Sequence, residues 1–189
     1  MTPEAKKRFE YELVRHCKKG RRSAQLKMYN YFSQKMFGIC LRYAKDYHSA
    51  EDILQEGFIK IYKNLNKFRG EGSFEGWVRR IFVNTAIEHY RKSVNMYPLL
   101  EIDNTDRDVI STNALDMLAE QDIVDMIQTL SPGYRTVFNL YVIEGFPHKE
   151  IAKMLDISEG TSKSQLARAR YLLQNKVEQS QIVKKEIAL

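Results

Sequence analysis

Between Glu150 and Lys176 the chain carries side chains that could read a nucleic acid. At about 100° per residue, Lys163, Ser164, Ala167, Arg168 and Tyr171 share one face of a helix, with Gln165 at its edge. Ser162, Leu166, Ala169 and Leu173 share the opposite face and would be buried. A shorter helical pattern with Ile151, Ala152, Met154 and Leu155 precedes it, across Asp156-Ile157-Ser158, and Ser158 is placed to cap the second helix. Long cations, an amide and short hydroxyls on one exposed face suit a helix seated in a DNA major groove. An ordinary helical hairpin with a solvated basic face is the competing reading of this stretch.

A second cluster suits single-stranded nucleic acid. Asn66-Lys67-Phe68-Arg69-Gly70-Glu71-Gly72-Ser73 is a two-glycine loop between the aromatic residues Phe68 and Phe74. Its flanking rings and its cations, Lys67 and Arg69, could hold an unstacked base. In the helical stretch that follows, Trp77, Arg80 and Asn84 fall on one side and could stack on a base and bind phosphates. A plain helix connection and a core tryptophan are the alternatives. The loop is no dinucleotide fingerprint: Gly70, Gly72 and Gly76 miss the G-x-G-x-x-G spacing and no strand precedes them.

A third set lies just upstream. From Ser49 to Asn66, Leu54, Phe58, Ile61, Tyr62 and Leu65 form a buried stripe, while Asp52, Glu56 and Lys60 mix with Ile53 and Ile59 outside it. Isoleucines among acids on an outer face suggest a protein-docking surface. Ser49 and Asp52 resemble a capping box at this helix's start. A metal site built from His48, Glu51, Asp52 and Glu56 is disfavoured, because these side chains fan around the helix and lack an H-E-x-x-H or E-x-x-H pair.

The elements that position these sets read as helices throughout. The 189 residues hold 43% hydrophobic residues and four prolines, enough apolar content for packed cores and few strand patterns. No apolar run reaches the roughly 20 residues of a membrane span, and no signal peptide is visible, so no membrane insertion is expected. Cys17 and Cys40 lack metal or redox spacing and read as reduced structural thiols of a cytosolic protein. Residues 1–22 read as a basic helical lead-in, and the aromatic stripe of Ser23–Tyr47 (including Leu26, Met28, Tyr29, Phe32 and Met36) as core. Residues 93–119 break the periodicity and read as a linker, followed by a short helix over Gln121–Leu130 and another stretch over Tyr134–Glu144. Charge divides similarly. Residues 1–92 hold 20 Lys+Arg against 10 Asp+Glu, residues 93–130 hold 1 against 8, and residues 131–189 hold 9 against 6. Two basic bodies flanking an acidic connector favour a polyanionic partner.

Two segments in this order resemble a bacterial extracytoplasmic-function (ECF) sigma factor of the sigma-70 family. Asp52-Ile53-Leu54-Gln55-Glu56-Gly57-Phe58, with Phe68-Arg69-Gly70-Glu71-Gly72-Ser73-Phe74-Glu75-Gly76-Trp77-Val78-Arg79-Arg80-Ile81, is similar to the family's region 2. Leu130-Ser131-Pro132, Glu144-Gly145, Glu150-Ile151-Ala152, Gly160-Thr161-Ser162-Lys163-Ser164 and Ala167-Arg168-Ala169-Arg170 are similar to its region 4. The resemblance implies an all-α protein with a lead-in (1–23), region 2 (24–93), an acidic linker (94–119), region 4 (120–176) and a tail (177–189). It implies a non-catalytic protein without cofactor or metal that binds core RNA polymerase and directs initiation at specific promoters. Asp52, Ile53, Gln55, Glu56 and Ile59 would dock on the polymerase clamp coiled coil. Lys67, Phe68, Arg69, Gly70, Gly72, Ser73, Phe74, Trp77, Arg80 and Asn84 would read and trap the minus-ten element. Lys163, Ser164, Gln165, Ala167, Arg168 and Tyr171 would read the minus-thirty-five element, and an anti-sigma factor would be a further partner. A stand-alone helix-turn-helix regulator using only the second segment is the alternative. The chain departs from the family pattern at Pro147, where a capping Ser is common, and at Ser162, where an apolar residue is usual.

Overall fold

The first helix owes its start to two residues. Thr2 accepts a hydrogen bond from the Ala5 amide through its side chain, and Pro3 supplies a preset backbone angle for α1 (Pro3–Lys18). The computed structural model describes residues 2–96 and 120–187; most of the expected acidic linker, from residue 97 to 119, lies outside them. All regular elements among the described residues are helical. The chain divides into two compact units, Met1–Ala86 and Ile87–Leu189.

In the first unit α1 is more than a basic lead-in. Leu13, Val14 and Cys17 recur on one side and are buried, as is Glu10, and α1 packs against α2 (Arg22–Tyr43). α2 buries Ala24, Met28, Phe32, Met36, Ile39, Cys40 and Tyr43. Two members of the expected core stripe turn outward: Leu26 is 62% exposed and Tyr29 41%. The apolar run was wider than the face that α1 and α3 can cover. Burial pushes the Cys17 thiol up to about 11 and that of Cys40 up to about 12, so both stay protonated and inert.

α3 (Tyr47–Asn64) is capped by Asp46, whose carboxylate accepts from the Ser49 amide at 2.8 Å. Ser49 is therefore a donor inside the first turn rather than the cap. A hydrogen bond from the Ser49 side chain first, and this backbone bond after it, hold the Asp46 carboxyl below its usual range. α3 buries Ala50, Ile53, Leu54, Gly57, Phe58 and Ile61, then tightens into a 3-10 turn, Leu65–Lys67. α4 (Phe74–Met96) follows the glycine loop, and its Val78, Phe82, Val83 and Ala86 complete the first unit's core. Phe82 and Phe58 meet edge to face at 5.3 Å. Gly57 allows this close approach: a Cβ there would lie 2.2 Å from the Phe82 ring.

In the second unit α5 (Glu120–Gln128) leads to α6 (Pro132–Phe138), with Pro132 at its first position. The pattern read as one helix over Tyr134–Glu144 breaks into α6 and a π-helical turn, Asn139–Ile143, closed by Glu144 N–H on the Asn139 carbonyl at 3.0 Å. The wider turn carries the buried Asn139 and Leu140, and Gly145 reverses the chain at φ 77°. α7 (His148–Leu155) begins with Pro147 at the N-cap, where its carbonyl accepts from Glu150 and Ile151 but its ring supplies no cap. α7 ends on Asp156 in the left-handed region, with Ile157 N–H on the Ala152 carbonyl. Ser158 then caps α8 (Glu159–Ile187) as expected, its hydroxyl accepting from the Thr161 amide at 2.9 Å.

Phe82 is fully buried and cannot retreat from a new methyl group. Gly57→Ala is expected to destabilise the protein by about 1–3 kcal/mol, and Phe82→Leu in the same chain to recover part of the loss. Thermal unfolding of the parent and both variants checks this; an unchanged melting temperature for Gly57→Ala would contradict the packing described.

Candidate nucleic-acid and partner interfaces

α8 presents the face that its spacing predicts. Ser162 and Leu166 and Ala169 are buried, while Lys163, Ser164, Ala167, Arg168 and Tyr171 are exposed. Leu173, expected on the inner face, is half-buried. The Arg168 guanidinium lies over the Tyr171 ring at 5.4 Å, and Lys163 pairs with Glu159 at 2.9 Å on the same surface. The Ser164 hydroxyl donates to the Thr161 carbonyl, so part of its capacity is used within the helix. Gln165 is half-buried against Gly133, with Oε1 buried and unpaired, so it stands further inside than its neighbours. Ser162, the polar departure on the inner face, bonds to His148 Nδ1 at 2.9 Å, reaching across to the first residue of α7. The His148 ring stacks on Tyr141 at 4.5 Å, and Arg170 covers Tyr141 from α8. A hydroxyl in this core is therefore satisfied, and it links the two helices of the motif.

In the first unit the glycine loop is fixed from several sides. Gly70 and Gly72 adopt φ of 81° and 79°, backbone angles that other residues rarely take. Ser73 caps α4 by accepting from the Gly76 amide. Phe68, Phe74 and Trp77 form one cluster: Phe68 lies 5.0 Å from Phe74 and 5.5 Å from Trp77, and Phe74 stacks on Trp77 at 5.7 Å. Phe74 is only 4% exposed and packs on Phe32, so it anchors the loop and presents no open face to a base. Phe68 and Trp77 remain partly accessible, and Lys67, Arg69, Arg80 and Asn84 are exposed around them.

The residues that sequence spacing missed come from α1. Lys18 Nζ donates to the Phe68 carbonyl at 3.0 Å. Lys6, with Lys35 of α2 at 2.8 Å, pairs with Glu75 at the start of α4. These partners are 40 to 69 residues apart, and no local pattern announces them. Hydrogen bonds from Lys35 and Lys6 hold the Glu75 carboxyl below the usual carboxylate range. Between α1 and the loop opens a cleft of about 570 Å³ that includes Glu10, Tyr11, Phe68 and Arg69 in its walls.

The α3 face is less apolar than its sequence suggests. Asp52 and Gln55 are exposed and Ile59 is 51% exposed, but Ile53 is 2% exposed and belongs to the core. It follows Asp52 on the helix yet faces inward with Leu54 and Gly57, because α3 is covered over a wider arc than a single stripe. Glu56 is half-buried and pairs with Lys60 at 3.1 Å. Among the described residues no group of three His, Cys, Asp or Glu side chains could hold a metal ion, and no helix is long and apolar enough to cross a membrane.

Comparison with known proteins bears on both units. Residues 28–95 match the family described as sigma-70 region 2, and residues 120–173 match sigma-70, region 4. The chain is 30% identical over 178 residues to the ECF RNA polymerase sigma-E factor of Haemophilus influenzae, covering 88% of this chain and 94% of that one. It is 30% identical over 182 residues to the ECF RNA polymerase sigma factor SigW of Bacillus subtilis, covering 87% and 94%. Among solved structures it is similar to the sigma factor RpoE in a co-crystal with the anti-sigma factor NepR from Bartonella quintana. That similarity has 21% identity and a TM-score of 0.49, covering 80% of this chain and 95% of the other.

Burial holds the Glu10 carboxyl above its ordinary value, which is 4.5, with Lys6 opposing the shift. The folded state thus takes up a proton more readily than the unfolded one, and stability falls as pH rises through the folded value. Glu10→Gln removes this titration. Its melting temperature is expected to exceed the parent's at about pH 7, and the gap to shrink towards about pH 4. A gap that stays constant over this range would contradict the buried carboxylate.

Proposed function

The chain belongs to the ECF sigma factors of the sigma-70 family, and from that premise we propose how its surfaces divide the work of initiation. A sigma factor directs transcription and leaves phosphodiester chemistry to the polymerase. In this reading α3 docks on the clamp coiled coil of core RNA polymerase through Asp52, Gln55, Glu56 and Ile59. Ile53 supports that face from beneath. The Phe68–Ser73 loop, with Trp77, Arg80 and Asn84 on α4, captures bases of the minus-ten element as the duplex opens. α8 enters the major groove at the minus-thirty-five element with Lys163, Ser164, Ala167, Arg168 and Tyr171 outward, while Gln165 supports it from the helix edge. Residues 24–93 and 120–176 would carry these two roles, with residues 94–119 as the connector through the polymerase.

The observation that carries this reading is the pairing of both sigma regions in one chain, each bearing an exposed face of matching chemistry. A stand-alone helix-turn-helix regulator would use only α7 and α8 and leave the match over residues 28–95 without a role. The place of action is the cytoplasm, where the polymerase is. An anti-sigma partner would silence the protein by covering the α3 face, the glycine loop or the α8 face.

Reconstituted transcription separates these surfaces. Lys163→Ala and Arg168→Ala should each weaken initiation at the cognate promoter, a base-specific contact being worth about 1–3 kcal/mol, without loss of polymerase binding. Asp52→Ala combined with Ile59→Ala should weaken polymerase capture in a pull-down while the fold survives. Normal initiation by both α8 variants would remove the recognition-helix role, and unchanged capture would remove the docking role.

A further inference from the structure

In the second unit, four side chains close a circuit that begins and ends on α8. The fully buried Ser162 hydroxyl stands 2.9 Å from His148 Nδ1 on α7. The His148 ring lies on the Tyr141 ring at 4.5 Å, with an angle of 23° between their planes. Tyr141 belongs to the π-helical turn, and the Arg170 guanidinium of α8 covers its ring at 5.7 Å. Ser162 and Arg170 are eight residues apart, about 12 Å along a helix axis. Between these two ties α8 is held by apolar contact through Leu166 and Ala169. Apolar contact resists separation but has no direction, so by itself it leaves a helix free to roll. A hydrogen bond has direction and fixes that roll. Lys163 and Ser164 follow Ser162 directly, and Ala167 and Arg168 come within two turns. For a side chain about 5–6 Å from the axis, a roll of about 20° moves the tip by about 2 Å, against about 0.5 Å that a recognition site tolerates.

We propose that His148 and Ser162 are positioning residues that determine specificity: their hydrogen bond, anchored through Tyr141 and Arg170, sets the rotation of α8 and thereby its base preference. Neither residue has to touch DNA. The proposal rests on the reading of α8 as the helix that enters the minus-thirty-five element, and it adds which side chains beneath that helix set its selectivity. Position 162 is where this chain departs from the usual apolar residue, so the link belongs to this chain and not to the general pattern. A neutral hydrogen bond contributes little net stability. Apolar packing would hold the unit together without it, and what the buried hydroxyl adds is orientation.

Selection by transcription tests this, using the full chain, core RNA polymerase and a promoter library randomised at both upstream elements. Transcribed templates are sequenced, and preference is the ratio of the favoured base to the next at each position. Ser162→Ala removes the hydroxyl. His148→Phe keeps a ring against Tyr141 but removes Nδ1, and His148→Asn offers an amide nitrogen near the place of Nδ1. His148 is half-buried, so its variants test the proposal even where the buried position 162 tolerates no change. The expected result is a fall of about threefold or more in minus-thirty-five preference for Ser162→Ala and for His148→Phe, no larger in the double variant than in either single. Minus-ten preference is expected to stay unchanged, and His148→Asn to retain more minus-thirty-five preference than His148→Phe. Weaker initiation at every sequence with base preference intact would overturn the proposal, leaving the link as structural support only. Equal losses in the two His148 variants would overturn the hydrogen bond as the carrier. If Lys163→Ala and Arg168→Ala also left the minus-thirty-five preference unchanged, the reading of α8 itself would fall, and the proposal with it.

Discussion

Glu75 holds together the part of the molecule that has the most to do. Its carboxylate takes Lys6 from α1 and Lys35 from α2 at the point where the glycine loop becomes α4. Lys18 secures the loop's other end through the Phe68 carbonyl. A loop with two residues in left-handed conformations and few apolar side chains cannot fix its own shape. Partly exposed ion pairs contribute only about 0–1 kcal/mol each, so this brace adds little to global stability. Its importance is geometric, since it sets where Phe68 and Trp77 stand. Stability comes from beneath, where Phe32, Phe58, Phe74 and Phe82 pack, each fully buried aromatic side chain being worth about 1.5–3 kcal/mol.

The second unit solves a similar problem with shorter pieces. α6 and α7 hold seven and eight residues, too few to persist alone. They depend on α8, which buries Leu166 and Ala169 against the unit and sends Ser162 to His148. Tyr141, on the π-helical turn, stacks on that same histidine. The exposed cations of α8 are therefore carried by a helix whose inner face is fixed by apolar contact and one satisfied polar link. Rigid support beneath an exposed cationic surface is what a base-reading helix requires.

Much of this was legible because the signals were local. The inner and outer faces of α8 follow from helical spacing, Ser158 caps where its position says it should, and the loop between Phe68 and Phe74 was marked by its glycines. The errors arose where coverage, and not periodicity, decides burial. Ile53 was read as an outer residue because it lies beside Asp52, yet the arc of α3 that is covered reaches it. Leu26 and Tyr29 were read as core because they sit in an apolar run, yet no neighbour covers them fully. Asp46 displaced Ser49 as the cap of α3 by beginning the helix at Tyr47. The role of α1 was hidden for a further reason. Lys6, Glu10 and Lys18 act on residues far along the chain, and a basic amphipathic helix gives no sign of which loop it will hold.

The measurement that tests the central claim most directly is transcription by core RNA polymerase on a genomic promoter library, with and without the purified protein, followed by sequencing of the transcripts. A sigma factor built as described yields new, discrete start sites that share two spaced upstream elements and appear only when the protein is present. Binding to duplex DNA without any polymerase-dependent start would contradict that account and leave the second unit acting alone.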